Sequence, residues 1–179
     1  MFERFTEDAR RAVVSAHFAA QCLGDKSIGT EHLLLGIVIN QSGISSRVLD
    51  DKNISFDAVY EQLKELRGGQ LHPSPDRPIS PDDLRHHMDP DQKTSNRPSH
   101  EHIPFSRTLK DALSAALPKA IELHDNFIDL EHLLLVLADS PECRAKEIFT
   151  RLGTSAPEIR TGLLLALPAR ESAHPPLSL

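Results

Sequence analysis

Tryptophan is absent, tyrosine occurs once, and aromatic residues make up only 4% of the 179 residues. A core without large rings must be built from Leu, Ile, Val and Ala, which favours helices over a β-sandwich. No apolar run approaches the roughly 18 residues that signal a membrane-spanning helix, so no membrane span is expected. The start, Met1-Phe2-Glu3-Arg4-Phe5, has no basic-then-apolar layout, so no signal or transit peptide is expected. Cysteine is scarce: Cys22 and Cys143 read as free thiols of a reducing compartment, the cytoplasm. Positive charge is also in deficit. A net charge of −6 argues against a general nucleic-acid surface. Gly-x-x-x-x-Gly-Lys-[Ser/Thr], Gly-x-Ser-x-Gly and His-Glu-x-x-His are all missing, so no ATPase, triad hydrolase or metalloprotease is expected. The chain is read as non-catalytic, with no cofactor and no metal.

What is present is a repeat. Ile28-Gly29-Thr30-Glu31-His32-Leu33-Leu34-Leu35 returns as Ile128-Asp129-Leu130-Glu131-His132-Leu133-Leu134-Leu135. The offset of one hundred holds without a gap from Phe5/Phe105 to Leu63/Leu163, with fourteen identical positions. Internal repetition sets architecture before any local signal does. The expectation is an all-α fold in which two pseudo-symmetric four-helix units form an eight-helix bundle. The division is 1–68 for the first repeat, 69–102 for a linker, 103–168 for the second repeat and 169–179 for a disordered tail.

Local signals fill in the helices. Thr6 caps the first, with Glu7 and Asp8 in its first turn and Gly24 as its stop. Thr30 is read as the cap of the second, whose Leu33, Leu34, Leu35, Ile37 and Val38 are apolar nearly all round, as in a buried central helix. Gly43 is read as its breaker, followed by a short helix over roughly 45–50 and one capped by Ser55. In the second copy Ser106 caps the first helix, and Pro118 predicts a kink or a helix in two pieces. Ser140-Pro141-Glu142 reads as a helix start and Ser155-Ala156-Pro157-Glu158 as a capping box.

The linker carries His72, His86, His87, His100 and His102, but their spacing matches no zinc pattern and no Cys-x-x-Cys supports one. A solvated linker is the reading, and a hydrolase using these histidines is the rival from another class. Glu31 and Glu131 admit two readings. Each is an acid that complements a helix dipole, or each holds a guanidinium in a charge-assisted contact. Thr6 with Arg10, and Ser106 with Lys110, likewise form either a cap beside a solvated base or an anion site at a helix start.

Phe2-Glu3-Arg4-Phe5-Thr6, Ile28-Gly29-Thr30-Glu31-His32-Leu33-Leu34-Leu35-Gly36 and Ile103-Pro104-Phe105-Ser106 resemble the N-terminal substrate-recognition domain of the Clp/Hsp100 unfoldases, the ClpC type above all. The resemblance covers both repeats, about three quarters of the chain, and implies a pseudo-twofold bundle of eight helices. It further implies a stand-alone relative of that domain without the ATPase modules. Its implied partners are a Clp ATPase or protease machine, its adaptors, arginine-phosphorylated proteins and cyclic-peptide antibiotics. The positions that match the family's phosphoarginine sites are Thr6, Arg10 and Glu31 in one repeat, and Ser106, Lys110 and Glu131 in the other. Phe2, Phe5 and Phe105 match the apolar peptide surface. The role implied is an adaptor or a decoy, with a scaffold that has lost ligand binding as the alternative. Asp129-Leu130 in place of Gly29-Thr30 makes the second set the weaker expectation, and Pro118 and the long linker mark a diverged paralogue.

Overall fold

The computed structural model describes residues 3–40, 42–68, 102–141 and 143–167. The linker reading, Phe2, the tail and all linker histidines except His102 lie outside these residues. Among the described residues there are eight helices. The first repeat contributes α1 (Glu7–Cys22), α2 (Thr30–Ile39), α3 (Gly43–Asp51) and α4 (Phe56–Leu66). The second contributes α5 (Arg107–Glu122), α6 (Leu130–Asp139), α7 (Arg144–Arg151) and α8 (Ala156–Ala166). None of these helices is long and apolar enough to cross a membrane.

The two ten-residue helices α2 and α6 form the centre, and both are buried along almost their whole length. Leu33, Leu34 and Leu35 and their counterparts Leu133, Leu134 and Leu135 are all at most 1% exposed. Each such burial contributes about 2 kcal/mol, against the few tenths per residue that separate ordinary helix propensities. Tertiary packing therefore decides where these helices lie. Gly36 has a specific place in it: a Cβ there would run into the backbone carbonyl of Ala12 on α1.

Several helix ends follow their caps. Thr6, Ser55, Ser106 and Ser155 each accept a backbone N–H in the first turn of the helix they open. Gly24, Gly68 and Gly153 take positive φ just beyond helix ends. Four expectations are corrected. Thr30 is the first residue inside α2, not its cap; the cap position is Gly29, which has no side chain to offer. Gly43 opens α3 with φ 67° rather than merely ending α2. Helix α5 is a single element through Pro118 and not two pieces, because a proline four residues from the last helical position removes only one ladder bond near a helix end. Ser140-Pro141 closes α6 instead of opening α7, since the Ser140 hydroxyl donates back to the Val136 carbonyl at 2.7 Å. The next helix begins later, capped at Cys143.

The repeats do not sit side by side as closed units. The extended residues before α1 pair in parallel with those before α6, and the residues before α5 pair with those before α2. Thr6 N–H donates to Ile128 O at 2.9 Å, and Ile128 N–H to Arg4 O at 2.7 Å. Ile28 N–H donates to Pro104 O, and Ser106 N–H to Ile28 O, both at 2.8 Å. Each repeat thus begins against the other.

Candidate functional site

This crossing rearranges the expected sites. Helices α1 and α2 run antiparallel: the Ser42 hydroxyl donates to Asp8 at 2.7 Å, at the far end of α2 from Glu31. Ten residues of helix separate the two ends by about 15 Å. A guanidinium and a phosphate bonded to it cannot bridge that distance. The grouping of Thr6 and Arg10 with Glu31, and of Ser106 and Lys110 with Glu131, is therefore corrected. Ser106 is bonded to Ile28, three residues before Glu31, and Thr6 is bonded to Ile128, three before Glu131. The start of α1 therefore lies against the start of α6, and the start of α5 against the start of α2.

The acid-bearing turn has the same frame in both copies. The Gly29 N–H donates to His32 Nδ1 at 2.8 Å, and the Asp129 N–H to His132 Nδ1 at 3.0 Å. A ring whose Nδ1 accepts a proton must carry its own proton on Nε2 when neutral. That Nε2 faces an aspartate in the preceding loop, Asp25 at 2.7 Å and Asp125 at 3.2 Å. Burial lowers the pKa of both histidines, that of His32 to about 4, so both are neutral at pH 7. The Glu-His pair is thus a helix-start device, and its third member is the aspartate seven residues before the histidine. Donor atoms of Asp125, Glu131 and His132 lie within 4.8 Å of one another. They do not fit a metal, because His132 has no lone pair left to give.

Around this frame the two sites differ in charge. Glu31 is 6% exposed, and its carboxylate lies so close to Gly29 that a Cβ on residue 29 would overlap it. Its Oε1 accepts from Arg144 Nη1 at 3.3 Å, across the repeat boundary. Arg67 pairs with Asp25 and also donates to Leu23 O. At the positions of these two arginines the other copy has Ile44 and Leu167. Asp129, in the place of Gly29, accepts from the Thr6 hydroxyl at 3.0 Å and from Leu130 N–H at 2.8 Å. At the start of α2 the carboxylates Glu31 and Asp25 are met by Arg144 and Arg67, and Lys110 is exposed one turn after Ser106. At the start of α6 three carboxylates, Asp125, Asp129 and Glu131, lie around His132, and neither arginine has a counterpart there. Asp129 thus places its added charge beside Thr6 of the first repeat, not beside Ser106.

The apolar surface is also redrawn. Phe5 is 4% exposed and part of the core, so it is not available to a peptide; its pairing with Ile128 turns it inward. Phe105 is half-buried beside Ile28. Sequence reasoning missed Asp25 and Asp125, although they are identical in the two copies. It missed Arg67 and Arg144 because repetition gives no signal where the copies differ.

The family model of the Clp repeat (R) N-terminal domain matches residues 4–85 and 104–177. The "ATP-dependent Clp protease ATP-binding subunit ClpC" of Staphylococcus aureus (strain USA300) is 30% identical over 168 residues, which is 93% of this chain and 17% of that protein. The chain thus spans about a sixth of the length of such curated relatives. Among solved structures, the N-terminal domain of the caseinolytic protease associated chaperone ClpD from Arabidopsis thaliana is similar, with TM-score 0.66 and 24% identity over 94% of this chain and 97% of that one. The Hsp104 N-terminal domain from Candida albicans gives TM-score 0.63 and 17% identity over 96% and 95%. These two likenesses establish the shared fold.

Proposed function

Because the chain belongs to the Clp repeat (R) N-terminal domain family, we propose that it is a non-catalytic binding protein of a Clp system that recognises phosphoarginine on marked proteins. Its principal site lies across the repeats at Ser106, Lys110 and Glu31. The single observation that carries this reading is the Glu31 carboxylate, buried at the start of α2 and accepting from a guanidinium, three residues after Ile28, whose carbonyl accepts from Ser106 N–H of the other repeat. Phosphoarginine joins a guanidinium to a phosphate, so its recognition needs an acid next to a cation and N–H or O–H donors. The exposed Lys110 offers a cation for the phosphate at this site, whereas the three carboxylates at the start of α6 oppose one.

The protein binds ligands or Clp adaptors and leaves unfolding to a Clp ATPase. It delivers marked proteins to that ATPase as an adaptor, or withholds them as a decoy; co-purification with the ATPase distinguishes the first from the second. Of the apolar residues matched to cyclic-peptide contacts, Phe105 alone among the described ones retains partial exposure.

Calorimetric titration with a phosphoarginine peptide tests the reading on wild type and on Glu31→Gln. Loss of a charge-assisted hydrogen bond is worth about 1.5–3 kcal/mol, or roughly ten- to hundredfold in affinity. Binding to wild type that falls by that factor in the variant supports the proposal. No binding to wild type or to Arg144→Ala, in which the guanidinium on Glu31 is removed, contradicts it.

A further inference from the structure

We propose that Arg144 is an internal ligand of the Glu31 site, a latch that any guanidinium-bearing ligand must displace. The inference rests on the phosphoarginine reading for its physiological ligand, but its geometry stands by itself. The Arg144 side chain is 59% exposed, while the Glu31 side chain it contacts is 7% exposed. An exposed side chain on the surface thus neutralises an acid that the core holds in place. The contact is one-pronged: Nη1 reaches Oε1 at 3.3 Å.

Two physical facts make this a latch. A buried carboxylate without a partner is costly, so Glu31 is stable only while some cation is against it. A single hydrogen bond from a largely exposed side chain is weak compared with a two-pronged guanidinium–carboxylate contact. A ligand that supplies a guanidinium in better alignment, with a phosphate reaching Lys110, therefore takes the place of Arg144. The latch can swing without disturbing its helix. The start of α7 is fixed independently, through Ala145 N–H donating to Thr30 Oγ1 at 3.4 Å.

The latch belongs to one site only. Position 44, which corresponds to Arg144 in the first repeat, is isoleucine. The arginine therefore makes the Glu31 site selective. A ligand that displaces it must bring a cation of its own to Glu31, and its affinity is lowered by the displacement. The apparent dissociation constant rises in inverse proportion to the fraction of molecules with the latch open.

The test uses Arg144→Ala, with Arg144→Gln alongside because its amide keeps a neutral donor near Glu31 should the alanine variant fail to fold. The first probe is methylguanidinium chloride at millimolar concentration, with sodium chloride as control, and the readout is the thermal midpoint. The second is the phosphoarginine peptide by calorimetry. The expected result is that methylguanidinium raises the midpoint of the Arg144 variants but not of wild type, and that adding Glu31→Gln removes the effect. The peptide should bind the Arg144 variants about tenfold more tightly than wild type, as for a latch closed in about nine molecules of ten. Rescue by methylguanidinium without peptide binding to any form supports the latch and overturns the phosphoarginine reading. Equal or weaker peptide binding by the variants, with no methylguanidinium effect, overturns the latch and leaves that reading in place. No response of the variants to either probe overturns both.

Discussion

Acid should destabilise this protein through His32, and the size of the effect follows from its surroundings. The ring is fully buried, with Nδ1 accepting from Gly29 N–H and Nε2 on Asp25. The charges that face it are Asp25, whose carboxylate is already shared with Arg67, and Glu31, shared with Arg144. Burial is the largest influence and lowers the pKa from 6.5 to about 4; Glu31 opposes it and Arg144 adds to it. Between those two values the unfolded chain carries a proton on this ring and the folded chain does not. Stability from the neutral ring is complete above pH 6.5 and is lost as pH falls toward 4. At 1.36 kcal/mol per unit, the loss is about 2 kcal/mol at pH 5 and about 3 kcal/mol at pH 4. His132, lowered in the same direction, adds to the trend. His32→Gln isolates the first ring, because glutamine at this position accepts from the same backbone N–H but does not titrate. Urea unfolding of both proteins at pH 7.5 and pH 5.0 gives the stability difference at each pH. The wild type's advantage should shrink by about 2 kcal/mol at the lower pH. A difference that stays constant would refute the assignment of a buried neutral ring.

Two further outcomes concern the frame. Gly36→Ala places a methyl against the Ala12 carbonyl, where backbone rather than a side chain must yield; overpacking of this kind costs about 1–3 kcal/mol, read as a lowered urea midpoint at unchanged slope. Asp129→Ala removes the acceptor of the Thr6 hydroxyl and of Leu130 N–H; loss of such a cap costs about 1 kcal/mol, while phosphoarginine binding at the Glu31 site should not weaken.

The all-α architecture was legible because the repeat was. Likeness between Ile28–Leu35 and Ile128–Leu135, each opening a run that is apolar on every side, is how a buried central helix reads, and α2 and α6 are those helices. Serine and threonine caps at 6, 55, 106 and 155 marked helix starts for a local reason, the satisfaction of a nearby N–H. Ser140-Pro141 misled for an equally local one: a serine hydroxyl can bond backward to a carbonyl as readily as forward to an amide. The site was only half legible. An internal alignment states which residues are equivalent, but not which copy each one packs against. The parallel pairings of Phe5 with Ile128 and of Ile28 with Phe105 decide that, and they set the start of α1 against that of α6 and the start of α5 against that of α2. Gly29 carried an unread signal as well, since its missing side chain is what lets the Glu31 carboxylate fold back over the chain.

The central claim is that the ligand site is built across the repeats, from Glu31 of one and Ser106 and Lys110 of the other. A double-mutant cycle in phosphoarginine-peptide affinity tests it directly, with Glu31→Gln combined with Lys110→Ala and, separately, with Arg10→Ala. Residues that share a ligand couple by about 0.5–3 kcal/mol, while distant independent sites add within about 0.5 kcal/mol. The account predicts coupling between Glu31 and Lys110, and additivity between Glu31 and Arg10. Coupling of Glu31 to Arg10 with additivity toward Lys110 would contradict it.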